Sequence, residues 1–390
     1  MNVGRQVKCA NRSTRRGLTL AGVAALLTTT AWAAVAMAAP GGTHPAPPRA
    51  GKPVLTRTTV GGDLATPGWR VVKKFGPDNR PVGGLISVVS AADAWTVWSG
   101  STAFIAHWSH GAWHDVNLPH KVAAALFAPV AIGASAGGEV WVFPMGDPAE
   151  AIRHTGGKWV VQPIPRWVLR PANEKADVAT AVFGPRNVWV FSLGDGAYAA
   201  HYNGHSWAKV KMPEVPLGVS ASAPGDIWAI GPNVSYAMRW NGAAWVKVGL
   251  PVLPLPFGAT VSYSNITAIG PRNAWVMRTI SYKSGLPTTG MLHWNGSAWL
   301  TVASPADVVD SLVPDGHGGL WAVGADINPS GFWFFYHLVR GHWTQFTPPG
   351  VIPQYAEELA WIPGTRSVWA TGISFNAKGD FFGVLLKYGP

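Results

Sequence analysis

The sequence predicts an all-β fold assembled from one repeated unit, and three observations carry that prediction. Tryptophan recurs with a regular spacing, glycine and proline are dense throughout, and the last unit lacks a strand that the N-terminal side supplies. The chain of 390 residues contains 22 Trp, 46 Gly and 33 Pro. Glycine and proline punctuate short strands, whereas long helices exclude both. Hydrophobic residues make up 48% and charged residues 13%, which suits a large packed core and argues against global disorder.

The N-terminal segment reads as an address. Arg5, Lys8, Arg12, Arg15 and Arg16 precede an apolar stretch from Leu18 to about Ala39, and Ala36-Met37-Ala38 forms an A-x-A cleavage site. Residues 1–38 are therefore expected to be a signal peptide. The paired arginines of "STRRGLTL" leave both the twin-arginine and the general secretory route open. Retention as an anchor is the alternative, since residues 17–39 are long enough to span a bilayer. Cleavage removes five basic residues and leaves 25 basic against 19 acidic, a net charge of +6. No basic run of the nucleic-acid-binding kind remains, so nucleic acid is not an expected partner, and weak attraction to anionic surfaces is. Cys9, the only cysteine, departs with the signal, so the mature chain forms no disulfide. Residues 39–65 are rich in Pro, Gly and Thr without apolar periodicity and read as a flexible tether.

The repeat occupies the rest. Short apolar strands after a polar turn carry Trp95, Trp141, Trp189, Trp228, Trp275, Trp321 and Trp369, at intervals of 46, 48, 39, 47, 46 and 48. Partner tryptophans follow at 113, 159, 207, 245, 299 and 343 in heptapeptides such as "HYNGHSW", "RWNGAAW" and "HWNGSAW". Asn-Gly or Gly-Gly in these heptapeptides suits a hairpin, because Asn and Gly tolerate positive φ. The seventh unit ends in "LLKYGP" without its closing Trp, and "TPGWRVVKKFGP" around Trp69 matches that missing strand. A period of this length with four strands per unit implies a β-propeller, whose blades cannot bury their faces alone. The expected architecture is a seven-bladed ring over 66–390, closed by residues 66–77 completing the last blade. Blades are expected at roughly 84–119, 128–165, 177–213, 217–251, 264–305, 308–349 and 358–390.

At these residues the chain resembles the secreted bacterial propellers related to kelch, galactose-oxidase-like and sialidase-like repeats, over about residues 66–390. The resemblance implies the fold, and the family's site residues do not transfer. The galactose-oxidase copper site needs a cysteine-linked tyrosine, and the mature chain has no cysteine. In the sialidase aspartate box the aspartate position is here filled by Tyr202, Trp240 and Trp294. The chain also lacks phosphate-loop, zincin and nucleophile-elbow motifs, and no cofactor or metal is expected.

His107, His154, His201, His293 and His337 recur, with Arg239 and Lys387 in the remaining units, and equivalent positions on diverging blades imply a repeated structural hydrogen bond. Function is expected on the loops joining fourth to first and second to third strands, which share one face. There Arg166, Trp167, Arg170, Tyr282, Lys283, Trp333 and Tyr355 form the candidate ligand-binding set. Trp167 between Arg166 and Arg170 suits stacking on a sugar ring and pairing with an acidic group. The expected protein is a secreted, monomeric, non-enzymatic module that binds an extracellular or cell-wall glycan or a surface protein. The alternative is a sialidase-like hydrolase or lyase using carboxylates on the same loops.

Overall fold

A computed structural model describes residues 56–58, 68–76, 82–145, 149–169, 177–285, 287–325, 333–347, 353–376, 378 and 380–389. The expected signal peptide, and the expected tether apart from 56–58, lie outside these residues.

Seven antiparallel sheets repeat one order, from an inner to an outer strand. Blade 3 is representative, with Asp177–Gly184, Asn187–Leu193, Tyr198–Tyr202 and Trp207–Lys211. The inner strands are Val82–Ser90, Pro129–Ser135, Asp177–Gly184, Gly218–Ala223, Thr260–Gly270, Val308–Pro314 and Pro353–Trp361. Each touches the inner strand of the next blade, and the seventh touches the first, so the ring is closed. The inner strand of blade 7 starts at Pro353 rather than near 358, because register shifts at Pro353/Tyr355 and Ala356/Glu358 carry it through a polar stretch.

Closure follows the strand count read from the sequence. Trp69–Phe75 pairs antiparallel with Phe381–Tyr388 and becomes the outer strand of blade 7. Trp69 stands opposite Tyr388, as Trp207 stands opposite Tyr202 and Trp299 opposite Trp294. The chain makes a further contact before this strand, within the expected tether. Thr56–Thr58 pairs parallel with the outer strand of blade 6, His342–Phe346. Three residues suffice because that outer edge otherwise presents unpaired backbone groups.

Packing is concentrated between blades. Each of seven apolar clusters draws on two neighbouring blades, including the cluster that joins blade 7 to blade 1. The second-strand tryptophans lie at the centre, and Trp141, Trp228, Trp321 and Trp369 are among the largest fully buried side chains. The turn tryptophans meet them edge-on across the interface, with ring centroids 5.9 Å apart for Trp207–Trp141 and 5.6 Å for Trp299–Trp228. Trp69 does the same to Trp321 at 5.3 Å and stacks on Phe335 at 3.8 Å. Such aromatic pairs add roughly 0.5–1.5 kcal/mol beyond area burial. The two sets of tryptophan are nevertheless unequal. Trp159, Trp207, Trp245 and Trp299 on their outermost strands are only half-buried, whereas Trp69, Trp113 and Trp343 are buried.

Hydrogen bonds stitch the inner strands along the axis. Ala134 N donates to Ser87 Oγ at 2.9 Å, Ala268 N to Ser220 Oγ at 3.0 Å and Leu359 N to Ser311 Oγ at 3.1 Å. Where the ring closes, Ile86 N donates instead to the Glu358 carboxylate at 3.0 Å.

The hairpin chemistry differs from a two-residue Asn-Gly turn. In blades 3, 4 and 5 the turn has four residues, and only the glycine adopts positive φ. The asparagine contributes its side chain: Asn203 Oδ1 accepts from His205 N and Ser206 N, both at 2.9 Å. Asn241 and Asn295 repeat this arrangement.

Candidate functional site

The recurring basic residues are structural. The third-strand residue opposite each second-strand tryptophan is His107, Arg153, His201, Arg239, His293, His337 or Lys387. Blade 2 thus uses Arg153 and not His154, which bonds Gly138 O at 2.7 Å and packs on Trp159. The offset explains the correction: the residue in question lies six positions before the turn tryptophan, and "RHTGGKW" puts Arg153 there.

Each of these groups lies over its tryptophan. His201 stacks on Trp189 with centroids 4.3 Å apart, and Arg239 sits 5.2 Å from the Trp228 ring centre. Most also bond a polar side chain at the start of the second strand. His107 meets Asp93 at 2.9 Å, Arg239 donates to Asp226 at 2.9 Å, and His201 meets Asn187 at 3.0 Å. Indole N–H groups of Trp189, Trp228 and Trp275 donate to the same Asn187, Asp226 and Asn273. In blade 6 the acid is displaced to Asp315, which accepts from His317 N, Gly319 N and faces His337. Burial opposes the charge on Asp315, but those donors outweigh it and hold the carboxyl below its usual range. Burial lowers the pKa of His201, His293 and His337, favouring the neutral ring with a proton on the nitrogen facing the acceptor. These clusters orient indoles between blades.

The candidate ligand set disperses over the opposite face. Arg166 is exposed in the connection from blade 2 to blade 3, and Arg170 lies outside the described residues. Trp167 is half-buried rather than a free indole. It packs on the cluster between blades 2 and 3, its carbonyl accepts from Tyr198 Oη at 2.9 Å, and its ring meets Tyr198 edge-on. Lys209 Nζ lies 5.1 Å from the Trp167 ring and 4.6 Å from Tyr198. Lys247 repeats the Tyr198–Lys209 pairing with Tyr236 in blade 4, at 4.3 Å, which marks that part of the arrangement as packing. Tyr282 is half-buried and within 3.1 Å of Thr288 Oγ1, and Lys283 is exposed, both between the second and third strands of blade 5.

Two candidates stand in strands instead of loops. Trp333 begins Trp333–Val339, opposite Ala325, and packs on the cluster between blades 6 and 7. Tyr355 lies within Pro353–Trp361 opposite Ile373, and its side chain is outside the description.

The main exposed apolar surface lies elsewhere on the same face. The connection from blade 4 to blade 5 reads "LPVLPLPFGA", and in it Val252 is 96% and Phe257 99% exposed. Leu250 N donates to Ser235 O at 2.8 Å, which brings this loop beside the one carrying exposed Val234. Exposed Leu217 precedes the inner strand of the same blade. Glu214 accepts from Asn233 N at 3.2 Å beside them, and burial raises its pKa against the pull of that bond and of Lys247. The sequence held a sign of this surface: three prolines and apolar residues between Leu250 and Ala259 follow no strand period.

Carboxylates are scattered. Asp310, near the loop-face end of the inner strand of blade 6, is pushed up to about 6 by burial, and Glu358 is bonded to Ile86 N. Among the described residues no group of three or more His, Cys, Asp or Glu is arranged to hold a metal ion.

No protein-family model and no curated protein matches the chain. Among solved structures it is similar to YCF48 bound to a D1 peptide, at 15% identity and a TM-score of 0.52, covering 83% of this chain and 97% of that one. YCF48 from Cyanidioschyzon merolae is similar at 14% identity and a TM-score of 0.50, covering 83% and 99%. At such identities the likeness bears on the propeller fold.

Proposed function

We propose that the protein is an exported, non-enzymatic binding module that seats an apolar segment of a partner protein on its loop face, over blades 4 and 5. The observation that carries this reading is the near-complete exposure of Phe257 and Val252, greater than that of any other large apolar side chain among the described residues. Covering one such side chain is worth about 1.5–3 kcal/mol, and apolar residues grouped on one face mark interaction sites. Polar groups at Glu214, Asn233 and Lys283 rim the patch, the usual anatomy of a protein interface. One of the similar propellers has a peptide bound, which agrees with a polypeptide partner. Export rests on the basic N-terminus, the apolar stretch and the A-x-A site. Among the described residues no helix is long and apolar enough to cross a membrane.

The test is selection from a random peptide library with the wild-type protein and with the double variant Val252→Ser, Phe257→Ser. Enrichment of apolar sequences by the wild type, lost in the variant, supports the reading. Equal enrichment by both proteins overturns it. So does retention on a glycan array, or release of reducing sugar from cell-wall polymers, that the variant leaves unchanged; these outcomes point to the glycan-binding or hydrolase alternatives.

A further inference from the structure

The opposite face of the ring carries its own pattern. It is made of the turns between first and second strands and between third and fourth strands, each two to six residues long. Four acids stand at these turns, Asp93, Glu139, Asp226 and Asp315, and each is held by His107, Arg153, Arg239 or His337. The formal charges exposed in the described turns and at the strand ends bordering them are all positive: Lys158, Arg186, Arg272, Arg340 and Arg366. They belong to blades 2, 3, 5, 6 and 7, some in the inner turns near the axis and some in the outer turns at the rim.

Two of these arginines are held in place by the fold. Gly204 and Gly296 adopt φ of +98°, and a Cβ there would stand 2.6 Å from Arg186 Cγ and 2.7 Å from Arg272 Nε. The missing side chains let both arginine stems lie across the neighbouring hairpin. Arg366 Nε bonds His317 Nε2 at 3.0 Å, which fixes a third.

We infer that this turn face docks on an anionic lipid surface. Its turns are short, and its cations are spread in two dimensions rather than lined along a groove. That arrangement matches a planar array of phosphates better than a single polyanionic strand. Each Lys or Arg near such a surface adds about a fivefold factor to partitioning, and the attraction fades beyond a Debye length of ~8–10 Å. The two faces are therefore separate: the loop face stays free to hold its partner while the turn face lies against the lipid.

The experiment is co-sedimentation of a chain beginning at Ala46, the start of the compact unit that holds the whole ring, with lipid vesicles. Vesicles of phosphatidylglycerol and phosphatidylcholine in equal parts should bind it at low salt and release it at high salt, and phosphatidylcholine alone should not bind. Arg186→Gln, Arg272→Gln, Arg340→Gln and Arg366→Gln together should weaken partitioning about a hundredfold or more. A variant with the same charge loss on the outer strands, Lys74→Gln, Lys209→Gln, Lys211→Gln and Lys247→Gln, should fall by no more than about tenfold. Equal loss in the two variants overturns the proposal by reducing it to net charge. Absence of vesicle binding, or binding of soluble polyphosphate in place of vesicles, overturns it as well. Circular dichroism of both variants verifies the fold, and peptide selection on the loop face should be unaffected in the turn-face variant, so failure here is distinct from failure of the partner assignment.

Discussion

The two faces of the ring are built on different rules. On the turn face the chain reverses in a few residues, every blade repeats the same tryptophan position, and the acids are paired with an inward-held base. On the loop face the connections are longer, follow no period and, in the ten residues between Gly249 and Thr260, leave Phe257 and Val252 in water. The difference teaches where stability resides. Repetition on the turn face positions indoles between blades, so a change there propagates into two blades at once. The loop face hangs from strands already fixed, so its sequence is free to serve recognition.

The largest expected effect tests the seam, where the turn face is interrupted. A chain beginning at residue 80 lacks Trp69–Phe75 and should melt far below one beginning at residue 60, and should aggregate through the bared edge of Phe381–Tyr388. Equal melting temperatures would remove the seam from the account of stability.

Next come the turn-face tryptophans. Trp228→Ala should cost about 3–5 kcal/mol in denaturant unfolding, as truncation of a fully buried indole does. Trp207→Ala, half-buried on an outer strand, should cost about half as much. Reversal of that order would break the distinction between inner and outer packing.

Asp310 sharpens the comparison because it is a loop-face residue that works against stability. Its folded pKa of about 6 exceeds the ordinary aspartate value of 3.8, so the folded state binds more protons between those limits. Stability is therefore lost as pH rises through that window, by up to about 3 kcal/mol, and stays lost above it. Asp310→Asn should match the wild type near pH 3 and be more stable at pH 7.5. A constant difference across pH would show that the carboxyl is solvated.

The smallest effect is expected at the loop tip. Phe257→Ser should change unfolding free energy by less than about 0.5 kcal/mol, since its side chain is exposed. A larger loss would place Phe257 in the packing of blades 4 and 5 and withdraw it from recognition.

The fold was legible because its information is periodic. Trp95 through Trp369 mark one strand per blade, and the "HWNG" class marks one turn, so strand order and the closing role of Trp69 followed from spacing alone. The polar partners were less legible for two reasons. Residue type varies among Asp, Glu and Asn at one position, and blade 2 sets His154 beside the functional equivalent Arg153. Counting from the tryptophan recovers both. The loop-face candidates were chosen by residue type in long loops, and type does not determine exposure: Trp167 is half-covered by Tyr198 and Lys209, and Trp333 begins a strand. Val252 and Phe257 escaped notice because exposure of an apolar residue is set by what fails to pack on it, which no local spacing records.

The seam also determines how the ring responds to force. Trp69 and Tyr388 face each other at the same end of an antiparallel pair. A pull that separates these two residues loads one cross-strand pair at a time, in the peeling direction. Hydrogen bonds along Trp69–Phe75 would then yield in sequence and not together, at lower force than a strand pair loaded in shear. A molecule stretched between these two points would open at the seam of blade 7 first, giving way in graded steps like a clasp.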